Sequence, residues 1–288
     1  MILVDLARLA RVSLGHPLAR RAPLGTAARI ARWQLGSRLL ACPVVVPFAS
    51  GTKLVVERGM TGATGNVYFG LHEVEDMAFV THALRASDLF VDVGANVGSY
   101  TVLAGGVSGA RVIACEPIAA TRARLERNVA VNQLQARTRV EAVAVSDHDG
   151  TVSMTSDRDT MNTVALEGGV EVPARTLDTL LAGEVPRVLK VDVEGHEAAV
   201  LRGASRTLAS EGLEAIVLEP GGSEVDFVRA TLASHGFEAH RYDPFARELV
   251  ATVEGSVHNI LFVRRGALAA VRERCRSAPP IELGFTRV

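Results

Sequence analysis

Along this chain the spacing of apolar positions changes several times, and each change marks an element. Residues 2–13 and 26–41 carry apolar side chains three and four apart with arginines between them, which predicts two short amphipathic helices divided by Pro17 and Pro23. From 44 to 69 the pattern turns into short β-rich runs, 44–46 and 53–57, punctuated by Gly51, Gly59, Gly62 and Gly65. A helix is expected over 73–85.

After Ser87 apolar runs alternate with amphipathic stretches. Residues 89–93, 111–115 and 140–145 read as strands, with helices over 97–106 and 119–133 between them. Residues 150–175 break the rhythm with Thr- and Val-rich pieces that read as an inserted hairpin. Alternation resumes with strands at 188–193 and 215–219, helices over 196–210 and 224–235, and closing strands at 237–242 and 259–263, the last expected antiparallel. This succession predicts a doubly wound, Rossmann-like α/β fold with a mostly parallel seven-stranded sheet and right-handed crossovers. Residues 1–86 are expected to form a small helical and β-rich cap, and residues 87–288 the main domain.

Composition narrows the class. With 48% hydrophobic and 22% charged residues, the chain can fill a core and is neither disordered nor fibrous. The net charge of −1 hides an asymmetry: residues 1–40 hold Arg8, Arg11, Arg20, Arg21, Arg29, Arg32 and Arg38 against Asp5 alone, so the remainder is acidic. A basic arm suits packing on its own domain or peripheral contact with an anionic membrane, whereas an acidic body argues against a nucleic-acid partner. Cys42, Cys115 and Cys275 are scattered and odd in number, which indicates neither a disulfide framework nor a zinc site. No apolar run reaches the roughly 18–20 residues of a membrane span, and a cytoplasmic location is expected.

The strongest chemical signal is Phe90-Val-Asp92-Val-Gly94-Ala-Asn96-Val-Gly98-Ser-Tyr100, where a buried strand turns into a helix. Glycines there let backbone approach a ligand, and the helix start offers free N–H donors. A dinucleotide fingerprint would need glycines at 94, 96 and 99, but Asn96 and Ser99 occupy the last two, so a pyrophosphate is a poor fit. S-adenosylmethionine, which carries no phosphate, fits better. Glu116 ends the second strand 22 positions after Gly94, where an acid can accept from both ribose hydroxyls, and Pro117 stops that strand. Ser146 and Asp147, just past the third strand, are expected near the adenine, and Tyr100 near the methionine portion.

The fourth strand ends Lys190-Val-Asp192-Val-Glu194-Gly-His196-Glu197. Alternation sends Lys190, Asp192 and Glu194 one way, and carboxylates at such a strand end are costly unless a ligand or reaction uses them. Asp192, Glu194 and His196 are therefore candidate bases for methyl transfer to a hydroxyl oxygen, with Glu219 at the end of the fifth strand as a further member. A metal held by Asp192, Glu194 and His196 is disfavoured, since their spacing alone is weak support. His258 and Asn259 are candidates to face the acceptor or to cap a turn.

These blocks, with Cys115-Glu116-Pro117, Ala144-Val-Ser146-Asp147, Thr176-Leu177-Asp178 and Leu218-Glu219-Pro220, resemble the FkbM-type methyltransferase family over roughly residues 60–265. The resemblance implies a class I methyltransferase fold, S-adenosylmethionine as donor, and O-methylation of hydroxyls in secondary metabolites or glycans. By that comparison Asp92, Gly94, Asn96 and Glu116 fall in the cofactor site, while Asp192 and Glu194 face the acceptor. The stretch 65–73 looks like that of relatives associated with bacterial glycan assembly. Two rival readings are a nicotinamide-dependent oxidoreductase, which shares the strand, glycine turn and terminal acid, and a noncatalytic scaffold that keeps only the fold.

Overall fold

The central apolar runs are near-continuous, the mark of strands covered on both faces, and in the computed structural model they assemble into one sheet. The structure describes residues 13–40, 42–155, 169–219, 224–252 and 259–288. The expected helix over 2–13 and His258 lie almost wholly or wholly outside them.

The chain opens with α1 (Pro17–Arg21), α2 (Pro23–Leu39), the hairpin β1 (Val44–Pro47) and β2 (Lys53–Val56), then α3 (Thr61–Phe69) and α4 (Val74–Ala83). The wound part follows: β3 (Leu89–Val93), α5 (Ser99–Val102, prolonged by a wide turn to Val107), β4 (Arg111–Cys115), α6 (Ala119–Val131), β5 (Thr138–Glu141) and β6 (Ala144–Val145). Next come β7 (Gly150–Met154), β8 (Val170–Arg175), α7 (Leu177–Leu181), β9 (Val188–Val191), α8 (Glu197–Arg202) and α9 (Ser205–Ala209). The chain closes with β10 (Ala215–Leu218), α10 (Val225–Ser234), β11 (Phe237–Asp243), β12 (Glu248–Ala251), β13 (Ile260–Arg264), α11 (Leu268–Ser277) and the hairpin β14 (Glu282–Leu283) and β15 (Thr286–Arg287).

The main sheet runs β12-β11-β13-β10-β9-β3-β4-β5, parallel from β10 to β5, with β13 antiparallel to both its neighbours. Its winding reverses between β3 and β9, which is the class I, Rossmann-like arrangement expected from the sequence. It has eight strands rather than seven, because β12 doubles back on the end of β11. That edge strand is four residues long with one buried side chain, Leu249, too short a pattern to register as a strand.

Three other expectations are corrected. The run 140–145 divides: β5 stays in the main sheet, while β6 leaves it to pair with β8 in a separate sheet β6-β8-β7. Residues 61–69 are helical although Gly62 and Gly65 suggested turns. Gly65 serves contact instead, since a Cβ there would sit 2.5 Å from the His72 ring. The helix expected over 196–210 breaks at Gly203, where a Cβ would come within 2.1 Å of the Ser146 carbonyl oxygen.

Side chains alternate across the strands into two cores. Phe90, Val112, Val188 and Val217 face Leu18, Trp33, Phe69, Phe79 and Leu103 from the N-terminal elements and α5. Val91, Ile113, Leu189 and Ile216 face Leu177, Leu201, Leu208 and Leu232 on the other side. Thus β1–β2 and α1–α4 roof one face of the sheet. The β14–β15 hairpin rests on that roof through a bridge between Leu283 and Ala49. Among the described residues no helix is long and apolar enough to cross a membrane.

Candidate active site

The reversal of winding leaves a crevice at the carboxyl ends of β3 and β9, the position where doubly wound sheets take ligands. The chain leaves β3 by a turn in which the N–H groups of Gly94 and Ala95 both donate to the Cys115 carbonyl, at 3.1 and 3.0 Å. Asp192 donates its N–H to the Val93 carbonyl at 3.1 Å, tying the exit of β9 to that of β3. Gly94 has φ +76°, and a Cβ there would lie 1.9 Å from the Asp192 carbonyl oxygen. The glycine is demanded by this close approach of two strand exits. Asn96 and Glu194, on opposite walls of the crevice, also hold left-handed backbone with φ near +50°, strain of the kind that collects at functional sites.

The crevice holds about 660 Å³ of empty space, the open solvent at its mouth included. Glu116 stands at one side with its carboxylate held from behind, Oε2 accepting from the Asn96 N–H at 3.0 Å and Oε1 from the Ile118 N–H at 2.9 Å. Burial pushes this carboxyl up to about 7, against those two donors. Pro117, Ile118, Val143, Val145 and Met154 supply apolar walls suited to a purine ring, and Asp192, Glu194 and His196 close the far end. The buried Asn96 Oδ1 has no partner among the described residues. Among the described residues no Lys or Arg lines the pocket. A pyrophosphate would be uncompensated there, whereas a nucleoside bearing a cationic sulfonium meets Glu116, Asp192 and Glu194. The residues present fit S-adenosylmethionine.

Beside Asp192 a cluster of acidic side chains surrounds one buried cation. Lys190, 3% exposed, bonds Asp192 Oδ2 at 2.8 Å, pairs across the strands with Asp92 and lies 4.8 Å from the centre of the Tyr100 ring. Burial alone would lower the Lys190 pKa, but Asp192, Asp92 and Glu73 outweigh it and hold the ammonium charged. Burial opposes ionisation of Asp192 too, yet Lys190 and a hydrogen bond with Glu219 hold its carboxyl below the usual range. Glu219, half-buried beside that charge, is pushed up to about 7. Helix α4 adds Asp76, which burial and Glu73 raise to about 8 and which accepts from Asn259 Nδ2 at 3.1 Å. Glu73 accepts the Tyr100 hydroxyl at 2.6 Å.

Of the residues singled out by sequence, Gly94, Asn96, Glu116, Pro117, Asp192, Glu194 and His196 line the crevice. Asp92 lies beneath it, fully buried, accepting from Thr101 Oγ1 at 2.7 Å, and burial raises its carboxyl. Gly98 faces Leu125, and Tyr100 lies against Lys190 and Glu73 in the acidic cluster. Ser146 stands outside the lining with its Oγ 3.0 Å from His196 Nε2, and Asp147 points to solvent beside His148. Burial lowers the His196 pKa, favouring neutral imidazole. Asp192 and His196 turn to different partners, and among the described residues no group of three His, Cys, Asp or Glu is placed to hold a metal ion. Glu73 and Asp76 escaped the sequence reading. Their only local signal is the acidic start of a helix, which also serves the helix dipole.

Fold and crevice together define a nucleoside-cofactor protein of the Rossmann-like class. Its residues 92–239 match the model of the methyltransferase FkbM domain, so the chain belongs to the FkbM methyltransferase family and carries an S-adenosylmethionine-dependent methyltransferase domain. The hexuronic acid methyltransferase AglP of Haloferax volcanii is 30% identical over 148 residues, 49% of this chain and 60% of that protein. The aligned region thus spans somewhat over half the length of that relative. Among solved structures, P. horikoshii TYW2 in complex with MeSAdo shows a TM-score of 0.45 at 12% identity, covering 86% of this chain and 85% of that one. The precorrin-6y C5,15-methyltransferase from Geobacter metallireducens shows 0.41 at 14%, covering 67% and 89%.

Proposed function

We propose that the chain O-methylates a hydroxyl of a sugar or glycan precursor. The observation that carries this reading is the Lys190-Asp192-Glu219 arrangement, in which one carboxyl is kept ionised and its neighbour is tuned to about 7. S-adenosylmethionine supplies an electrophilic methyl on a cationic sulfur, which an oxygen must approach in line while losing its proton. A carboxylate tuned near neutral pH is an effective general base, so Glu219 takes the hydroxyl proton. Asp192, fixed by Lys190, orients the acceptor hydroxyl and stabilises Glu219 once protonated. Glu194 and neutral His196 form the rim across which the acceptor enters. Gly94, Asn96, Glu116 and Pro117 contact the cofactor, while Asp92, Gly98, Tyr100, Ser146 and Asp147 hold the loop and strand ends in shape.

A neutral hydroxyl suits the neighbourhood of this acidic cluster better than a carboxylate acceptor. Glu73, Asp76, Asp192, Glu194 and Glu219 act on one another electrostatically there, so a uronate carboxylate or a polyanion such as RNA meets like charge. Methylation of a carboxylate also needs no base. The sugar class rests on the AglP relative, whose name specifies a hexuronic acid.

The test is transfer of label from methyl-tritiated S-adenosylmethionine to a panel of neutral sugars, uronic acids and RNA, followed by alkaline hydrolysis. Alkali-stable label on a sugar, lost in Glu219→Gln, is expected. Alkali-labile label on a uronic acid, or label on RNA, overturns the reading. Binding of a nicotinamide dinucleotide in place of S-adenosylhomocysteine returns the protein to the oxidoreductases.

A further inference from the structure

Helix α2 presents two unlike faces. Thr26, Ile30 and Trp33, about one turn apart, turn toward the protein core. On the other side Leu24, Leu35 and Leu39 are 86%, 66% and 83% exposed. With the exposed Ala28 and Ala31 they fall at steps of three and four, which sets them in a single stripe along the helix. Scattered exposed leucines are ordinary, but a continuous stripe marks a surface that something covers.

The charges around the stripe indicate what covers it. Residues 13–40 contain Arg20, Arg21, Arg29, Arg32 and Arg38 and no Asp or Glu, whereas residues 41–288 hold 24 basic and 31 acidic residues. Among the described residues none of these five arginines pairs with a carboxylate. Arg20, Arg29 and Arg38 donate to carbonyl or amide oxygens and Arg21 lies over the Phe245 ring. Beside the stripe a groove of about 1250 Å³ opens between α2, β1 and the β14–β15 hairpin, walled by Trp33, Val46, Phe48 and Phe285 and flanked by Arg29 and Arg32. A second copy of the chain seated on this face would oppose arginine to arginine.

We infer that this face docks the protein on an anionic lipid bilayer. The leucine stripe enters the headgroup and acyl boundary, and the arginines reach lipid phosphates while their stems stay in the apolar layer. The groove beside the stripe accepts a stretch of acyl chain. This inference is independent of the methyl acceptor and places the protein at the surface from which a lipid-borne substrate would be presented.

The experiment is co-sedimentation of the full chain with phosphatidylcholine vesicles, with and without a one-third share of phosphatidylglycerol. It compares wild type with Leu35→Glu/Leu39→Glu and Arg32→Glu/Arg38→Glu, each checked for retained S-adenosylhomocysteine binding and for oligomeric state by light scattering. Both pairs are exposed and lie outside the catalytic machinery, so folding survives substitution. Partition onto the anionic vesicles only, weakened by high salt and at least about tenfold in each double variant, is expected. No partition, partition unchanged in either variant, or a wild-type dimer that Leu35→Glu/Leu39→Glu splits overturns it.

Discussion

On the cofactor-binding role proposed for Glu116, protonation and cofactor affinity are linked at this residue. Its carboxyl is buried, accepts from the Asn96 and Ile118 N–H groups, and is pushed up to about 7 from an ordinary 4.5. In that role the ribose hydroxyls of a bound nucleoside would donate to the ionised form, while the protonated acid would bring a competing donor. With ionised carboxylate as the binding form, affinity follows its fraction, which rises about tenfold between about pH 6 and pH 8, or ~1.4 kcal/mol. Glu116→Gln does not titrate, and its amide cannot accept from both backbone donors, so one buried N–H loses its partner at a cost of about 1–3 kcal/mol. Isothermal titration with S-adenosylhomocysteine across this range is therefore expected to show tighter binding with rising pH in the wild type and weak, flat binding in Glu116→Gln. The sign for stability is opposite. The folded protein holds the Glu116 proton up to a higher pH than the unfolded chain, so this group costs the ligand-free fold stability as pH rises from about 4.5 through about 7. A flat wild type, or the same slope in Glu116→Gln, refutes the assignment.

Four further outcomes follow from the geometry. Gly94→Ala puts a methyl 1.9 Å from the Asp192 carbonyl oxygen at φ +76°; left-handed strain of about 1–2 kcal/mol adds to that displacement, and titration is expected to find no cofactor binding, so normal affinity would disprove the close approach. Asp192→Asn leaves buried Lys190 short of its partner and is expected to lower urea stability by about 3 kcal/mol, largely restored by adding Lys190→Met; additive losses would contradict the pairing. Asp88 sits before β3, at the opposite end of the strand from the crevice, and receives both Arg187 and Arg274; Asp88→Asn is expected to cost about 3–5 kcal/mol in unfolding while cofactor affinity stays constant. With an acceptor in hand, turnover is expected to rise as pH passes through about 7; Glu219→Gln removes that rise and slows transfer about 10²–10⁴-fold, and an unchanged profile would exclude Glu219 as the base.

Much of this protein was determined by sequence alone. The strands at Leu89–Val93, Arg111–Cys115 and Val188–Val191, and the residues at their ends, were legible because strand, turn and helix start are local. Their periodicity and breakers lie within a few positions of one another. Gly94 and Glu116 belong to that register, and so does the alternation that puts Lys190 and Asp192 on one face. What needed tertiary structure involved partners distant in sequence. Gly65 looked like a turn because its reason, the His72 ring, becomes a neighbour only once the intervening helix end folds back. The Ala144–Val145 pair left its expected strand because β8, some thirty residues on, offers it another ladder. Glu73 and Asp76 looked like ordinary acids at a helix start. They join Lys190, Asp192 and Glu219 only because α4 packs over the sheet, and burial among those neighbours moves the carboxyls of Asp76 and Glu219 into the working range. Local pattern specifies which element a residue occupies, but its electrostatic environment is a sum over neighbours that only packing brings together.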